Sequence, residues 1–108
     1  MKIQNEIKII STTLISSKVL QIQFNVDWTM DDANELTKKI LLLTAMNMIE
    51  VTQGADLQSA RLKADDYELL LNFEEYSHSC WFECISDADC HGLLIINKII
   101  NQAHDLSG

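Results

Sequence analysis

Alternation of apolar and polar residues is clearest in the segment 19–26. Its apolar residues are separated by glutamine and asparagine, and they are Leu20, Ile22, Phe24 and Val26. A period of two residues is typical of a β-strand with one buried face and one wet face. The pattern therefore predicts a half-buried strand here. A weaker alternation predicts an earlier strand over 3–10, and the Ser/Thr-rich stretch 11–17 is typical of a turn.

Two segments have the apolar spacing of amphipathic helices. Thr29, followed three residues later by Asp32, is a variant of the capping box that begins many helices. We expect this helix to end near Asn47, which is a common terminating residue. The same serine/threonine–acid pattern recurs before a second apolar stripe, and it predicts a last helix over 87–104.

Short strands fill most of the chain between these helices. Residues 48–52 form one predicted strand, and 57–64 are a weaker candidate for another. Residues 67–76 could be strand or helix. The alternation of Leu69, Leu71 and Phe73 with their neighbours favours a strand, followed by a hairpin loop and a further strand over 80–85.

The resulting order is β-β-α-β-(β)-β-β-α. It predicts an α+β fold, a two-layer sandwich in which an antiparallel or mixed sheet of about five strands carries two helices on one face. Proline is absent and there are three glycines, so we see no linker, and we expect one domain over residues 1–108.

Composition indicates the cellular compartment of the protein. No apolar run is long enough to cross a bilayer, and the charged start of the chain does not resemble a signal peptide. The three cysteines are an odd number, which argues against a complete disulfide framework. These observations indicate a cytoplasmic protein without a membrane partner.

Acidic residues are concentrated in one part of the chain. The net charge is −8, and residues 64–97 carry eight acidic residues and no lysine or arginine. Such a segment repels the phosphates of nucleic acids, so we expect no nucleic-acid partner. It could attract a basic protein, and an acidic inhibitor of a basic protein is therefore one alternative function.

The predicted strand 80–85 suggests an interaction surface. If Cys80, Phe82 and Cys84 face the core, then the opposite face carries Trp81, Glu83 and Ile85. The neighbouring strand would add Leu70 and Glu74. An apolar patch rimmed by acids is typical of a protein-binding site, for a partner or for a second copy in a homodimer. The reversed register, with Trp81 in the core, is the open alternative.

Histidines and cysteines offer a different hypothesis. His78, Cys90 and His91 could serve a small metal- or thiol-dependent enzyme, since zinc and nucleophilic catalysis use these residue types. The spacing matches no standard metal motif, and no glycine-rich phosphate loop occurs. We therefore predict no cofactor and no catalytic residues. A non-enzymatic interaction module is the favoured hypothesis.

The segment from Tyr67 to Ser77, together with the Trp-Phe-Glu run 81–83, resembles short bacterial proteins that are grouped as domains of unknown function. The resemblance covers about a third of the chain. It implies no activity, because such families have no assigned catalytic residues, and it favours strands over 67–85.

Overall fold

The computed structural model describes residues 7–107, with side chains up to residue 102. The N-terminal part of the predicted first strand, residues 3–6, lies outside the described residues. In chain order the elements are β1 (Ile9–Ser16), β2 (Val19–Phe24), α1 (Ala33–Thr44), β3 (Asn47–Gln53), β4 (Leu57–Lys63), β5 (Glu68–Glu74), β6 (Ser79–Cys84) and α2 (His91–Ser107). Short 3-10 turns, Met30–Asp32 and Asp87–Asp89, precede the two helices.

The described strands form one six-stranded sheet in the order β1-β2-β6-β5-β4-β3, with every neighbouring pair antiparallel. The α+β prediction is confirmed. The expected count of about five strands was too low, because the weak candidate over 57–64 is a full strand. Its alternating buried positions, Gln58, Ala60 and Leu62, face the helix layer.

The first strand lies further along the chain than its predicted position. The stretch 11–17, which we expected to be a turn, forms most of β1 instead. Register irregularities at Ile10 and Ile15 interrupt its alternation, so the period of two residues is lost from the sequence. Serine and threonine are tolerated because β1 is an edge strand with one polar face.

Both helices cover one face of the sheet, as predicted. The core between the layers is contributed by alternate residues of β2, β4, β5 and β6 and by the inner faces of α1 and α2. Its fully buried large side chains include Leu20, Leu36, Ile40, Leu69, Leu71, Phe73, Phe82, Leu93, Ile96 and Ile100. The opposite face of the sheet has no helix against it within residues 7–107, and we call it the open face.

The capping box predicted at Thr29 begins the 3-10 turn Met30–Asp32, which leads into α1 at Ala33, and α1 ends earlier than predicted. The Asp32 carboxylate accepts a hydrogen bond from the Thr29 backbone N–H at 2.9 Å, which completes the capping box. The chain leaves the helix at Ala45, whose φ of 59° is left-handed, rather than near Asn47. Glycine usually occupies this position, so the sequence carries no signal for the end of the helix.

Strand β3 is exposed along its whole length. It forms the edge of the sheet opposite β1, and its register with β4 shifts at Ile49. Both edges of the sheet therefore contain bulge-like irregularities, which bend an edge and hinder pairing with a strand from another chain.

Candidate interaction surface on the open face

Strand register aligns polar residues in a row across the open face. Trp81 on β6 lies between Gln21 on β2 and Asn72 on β5, and Ser59 on β4 follows Asn72. Because directly paired residues point to the same side of a sheet, these side chains are neighbours. Trp81 is therefore on the open face, in the register that the sequence analysis favoured.

A hydrogen-bond network fixes the position of Trp81. Its indole Nε1 donates to Glu83 Oε1 at 3.2 Å, and the Asn72 amide Nδ2 donates to the same oxygen at 3.4 Å. The Ser59 hydroxyl in turn donates to the Asn72 side-chain oxygen. Asn72 is only 4% exposed although it lies on the open face. The network thus holds one partly exposed aromatic ring with side chains from three strands.

The other predicted surface residues have different surroundings. Leu70 is half-buried and pairs across the sheet with Glu83 and with Arg61. Glu74 accepts a hydrogen bond from the Ser77 hydroxyl at the end of β5. Ile85 lies just beyond the end of β6 and is 41% exposed. Trp81, Glu83 and Leu70 therefore form the compact part of the set, and Glu74 and Ile85 lie near the two ends of the β5–β6 pair.

An ion pair borders this cluster. Arg61 Nε donates to Glu68 Oε1 at 2.7 Å. Sequence reasoning did not identify Arg61 or Ser59 as part of this face. Alternation alone predicted the face of Asn72 within its own strand, but the pairing of β4 with β5 was needed to bring Ser59 and Arg61 beside it.

His78 lies at the other end of β6 from Cys84 and Cys90. Its ring stacks on Trp28 with centroids 4.5 Å apart, and its Nε2 donates to the Trp28 carbonyl oxygen at 2.8 Å. Asp27 is 3.4 Å from the same nitrogen. His78 also has a left-handed φ of 53°. Its contacts connect the β5–β6 hairpin to the segment before α1.

Cys90 is bonded to Cys84, with their Cα atoms 5.0 Å apart. The odd cysteine count argued against a complete disulfide framework, and one disulfide forms while Cys80 remains a buried free thiol. The length of β6, about 17 Å, separates His78 from this bond. His78, Cys90 and His91 do not converge, and within the described residues no group of three His, Cys, Asp or Glu side chains could hold a metal ion.

A cleft of about 450 Å³ lies at the end of the sheet where α1 meets β3 and β4 meets β5. Its lining consists of Thr44, Ala45, Asn47, Lys63, Ala64, Asp65, Asp66 and Tyr67. Burial, together with the nearby carboxylates of Asp66 and Asp65, raises the pKa of Tyr67. No pattern in the sequence signals this cleft, because segments far apart in the chain form it.

The acidic block 64–97 is divided between regions of the fold. Asp65, Asp66, Asp87 and Asp89 lie in the turns before β5 and after β6, whereas Glu74 and Glu75 lie in the β5–β6 hairpin. Glu83 lies on the open face, and Glu68 and Glu74 lie on the same side of β5 as Leu70, which pairs with Glu83. The acids are therefore spread over the turns, the hairpin and the open face.

These features define a class of protein. It is a small α+β domain whose six-stranded antiparallel sheet carries helices on one face and an ordered tryptophan on the other. The chain belongs to the family described as Protein of unknown function (DUF3630), whose family model matches residues 10–98. The resemblance noted from residues 67–83 is thus confirmed as membership of an unknown-function family. No curated protein and no solved structure matches the chain. Neither helix in the described part is long and apolar enough to span a membrane.

Proposed function

We propose that this domain is a non-enzymatic interaction module that binds a protein partner through the open face of its sheet. The observation that carries the proposal is Trp81, a partly exposed ring held in place on the face that the helices leave uncovered. Tryptophan residues are enriched among the side chains that contribute most to protein binding. A ring that is already ordered loses little conformational entropy when a partner covers it.

The open face is a better candidate than the strand edges. Both edge strands contain register irregularities, at Ile10 and Ile15 in β1 and at Ile49 in β3. Such irregularities disfavour the addition of a straight strand from another chain. The open face combines apolar contact from Trp81 and Leu70 with hydrogen-bonding groups around them, which is the composition of many interface centres.

The experiment compares Trp81→Ala and Glu83→Lys with the unchanged protein. Sedimentation velocity over a range of concentrations measures self-association, and affinity capture followed by mass spectrometry measures binding to other proteins. We expect each substitution to weaken the dominant association at least about tenfold, as is usual for a side chain near the centre of an interface. Circular dichroism verifies that both variants remain folded.

Matched controls lie elsewhere on the surface. Tyr76→Ala removes an aromatic ring that is 93% exposed in the β5–β6 hairpin, and Glu35→Lys makes the same charge change on α1. Both should leave association unchanged. If folded Trp81→Ala and Glu83→Lys proteins associate as the unchanged protein does, the open face is not the binding surface and the proposal fails.

A further inference from the structure

The disulfide joins two elements at a point where a helix begins. Cys84 is the last residue of β6, and Cys90 immediately precedes α2. The bond between them spans only the connecting residues 85–89, which include the 3-10 turn Asp87–Asp89. It therefore fixes the start of α2 relative to an inner strand of the sheet.

The start of α2 packs directly on the wall of the cleft. A Cβ atom placed on Gly92 would lie 2.4 Å from Cδ1 of Tyr67, so the helix backbone approaches that ring closely. The His91 ring lies edge-on to Tyr67 with centroids 5.5 Å apart, and His91 Nε2 is 3.4 Å from an Asp66 carboxylate oxygen. Asp66 and Tyr67 both line the cleft. The disulfide is thus connected to the cleft through residues in contact.

The three cysteines differ in their access to an external thiol. Cys90 is partly exposed, Cys84 is 8% exposed and Cys80 is 1% exposed. Burial also raises the pKa of the Cys80 thiol, so little Cys80 thiolate forms and this residue does not compete in exchange. An incoming thiolate reaches the sulfur of Cys90 first.

The charges around Cys90 act in opposite directions. The positive end of the α2 dipole favours negative charge on the Cys90 sulfur, whereas the carboxylates of Asp87 and Asp89 disfavour it. Asp87 lies 3.6 Å from the Lys18 ammonium, and Asp89 accepts a hydrogen bond from the Glu68 backbone N–H. Each carboxylate therefore has a partner that offsets part of its repulsion.

We propose that Cys84 and Cys90 form a reversible thiol–disulfide pair, and that its reduction by a low-molecular-weight thiol such as glutathione releases the first turn of α2 from Tyr67 and opens the cleft. A thiolate attacks the Cys90 sulfur, a mixed disulfide forms, and Cys84 leaves as a thiolate that takes up a proton. A second thiolate attacks the added sulfur and releases Cys90. Two external thiols lose two electrons in total, and the protein disulfide gains them.

A redox titration of the folded protein tests the chemical step. The protein is equilibrated in buffers of varied ratio of reduced to oxidised glutathione, quenched with acid and alkylated, and its mass is measured. We expect Cys84 and Cys90 to titrate together as one two-electron transition that oxidised glutathione reverses. Cys80 should be alkylated only after denaturation. A bond that glutathione reduces only in the unfolded protein would show a permanent structural disulfide and overturn the inference.

Amide hydrogen exchange tests the structural step. On reduction we expect the amides of residues 91–93 and of Tyr67 to exchange at least about tenfold faster, as in a local opening, while those of β4 stay unchanged. The double variant Cys84→Ala/Cys90→Ser should show the same exchange as the reduced protein and no response to glutathione. Cys80→Ala is the control, because it keeps the disulfide between Cys84 and Cys90. Unchanged exchange at Tyr67 and residues 91–93 after complete reduction would contradict the proposed coupling to the cleft.

Discussion

Asp89 is a single residue that joins two separate parts of the fold. One of its carboxylate oxygens accepts a hydrogen bond from the Glu68 backbone N–H at 3.0 Å, and the other accepts one from the Ser86 hydroxyl at 2.8 Å. These hydrogen bonds, that from Glu68 foremost, lower the pKa of Asp89 below its usual value of 3.8. The Ser86–Asp89 pattern, which we interpreted from the sequence as a helix cap, therefore connects the turn before α2 to the start of β5.

The depressed pKa of Asp89 predicts a pH-dependent contribution to stability. Because the folded value is below the unfolded one, the contribution is present above pH 3.8 and is lost as the pH falls through the folded value. Asp89→Asn keeps a hydrogen-bond acceptor but removes the charge. We expect it to lower the free energy of unfolding by about 1 kcal/mol or less near neutral pH, since solvent screens this exposed site.

Urea unfolding of both proteins between pH 7 and pH 3 measures this difference. The difference in the free energy of unfolding between the unchanged protein and Asp89→Asn should become smaller as the pH falls below 3.8 and Asp89 becomes protonated. Asp87→Asn is the control, since it removes the same charge from the same turn while its carboxylate faces the exposed Lys18 ammonium. A difference in the free energy of unfolding that stays constant with pH would show that the charge of Asp89 does not stabilise the fold.

At the scale of elements, the contact between α2 and the start of β5 depends on Gly92. The ring of Tyr67 fills the space where any other residue would place its Cβ atom. Tyr67 is only 7% exposed, so it cannot turn aside without disturbing the residues around it. The glycine therefore sets how closely the helix approaches the sheet.

Gly92→Ala should destabilise the protein. Overpacking of this kind costs about 1–3 kcal/mol, and the better helix propensity of alanine offsets at most about 1 kcal/mol of it. Gly54→Ala is a matched control, because a Cβ atom there would be 3.5 Å from its nearest neighbour, the Leu57 carbonyl oxygen. Thermal unfolding compares the two variants. Equal melting temperatures for both would contradict the close packing of Gly92 on Tyr67.

The elements differ in how well the sequence predicts them. Strands β2, β5 and β6 have regular alternation, and their buried faces were predicted correctly. Strand β1 was displaced in the prediction because its irregularities hide the alternation. The end of α1 was predicted late because Ala45, rather than glycine, adopts the left-handed conformation. Local patterns therefore failed where the backbone departs from regular geometry.

At the scale of the whole molecule, the net charge of −8 acts over distances comparable to the protein itself. The molecule measures 38 × 35 × 24 Å, and the Debye length is about 30 Å at 0.01 M salt but about 8 Å at 0.15 M. Electrostatic repulsion between acidic regions therefore acts across the whole fold at low salt and is screened at higher salt.

We expect the melting temperature to rise when sodium chloride is increased over this range. The double variant Asp65→Asn/Asp87→Asn reduces the net charge from −8 to −6, since each substitution removes one negative charge, and it should gain less from added salt. Differential scanning calorimetry at several salt concentrations measures both proteins. A melting temperature that falls with salt would mean that attractive ion pairs, such as Arg61–Glu68, outweigh the repulsion.

The sequence predicted only part of the candidate site. Alternation within β6 placed Trp81 and Glu83 on one face, but the network around them depends on which strands are neighbours. The disulfide was missed because Cys84 and Cys90 meet only through the turn between β6 and α2. Contacts between elements are set by the whole fold, and a single sequence does not specify their register.

The strand order also has a consequence for how the chain folds. Within the described sheet, every neighbouring pair except β2 with β6 is consecutive in the chain. Gln21 and Trp81, which pair across that junction, are 60 positions apart in the chain. Forming contacts between distant segments has a high entropic cost and slows folding. We expect the hairpins of β3–β6 to form early, and the docking of β1–β2 onto β6 to be the slow step that completes the core.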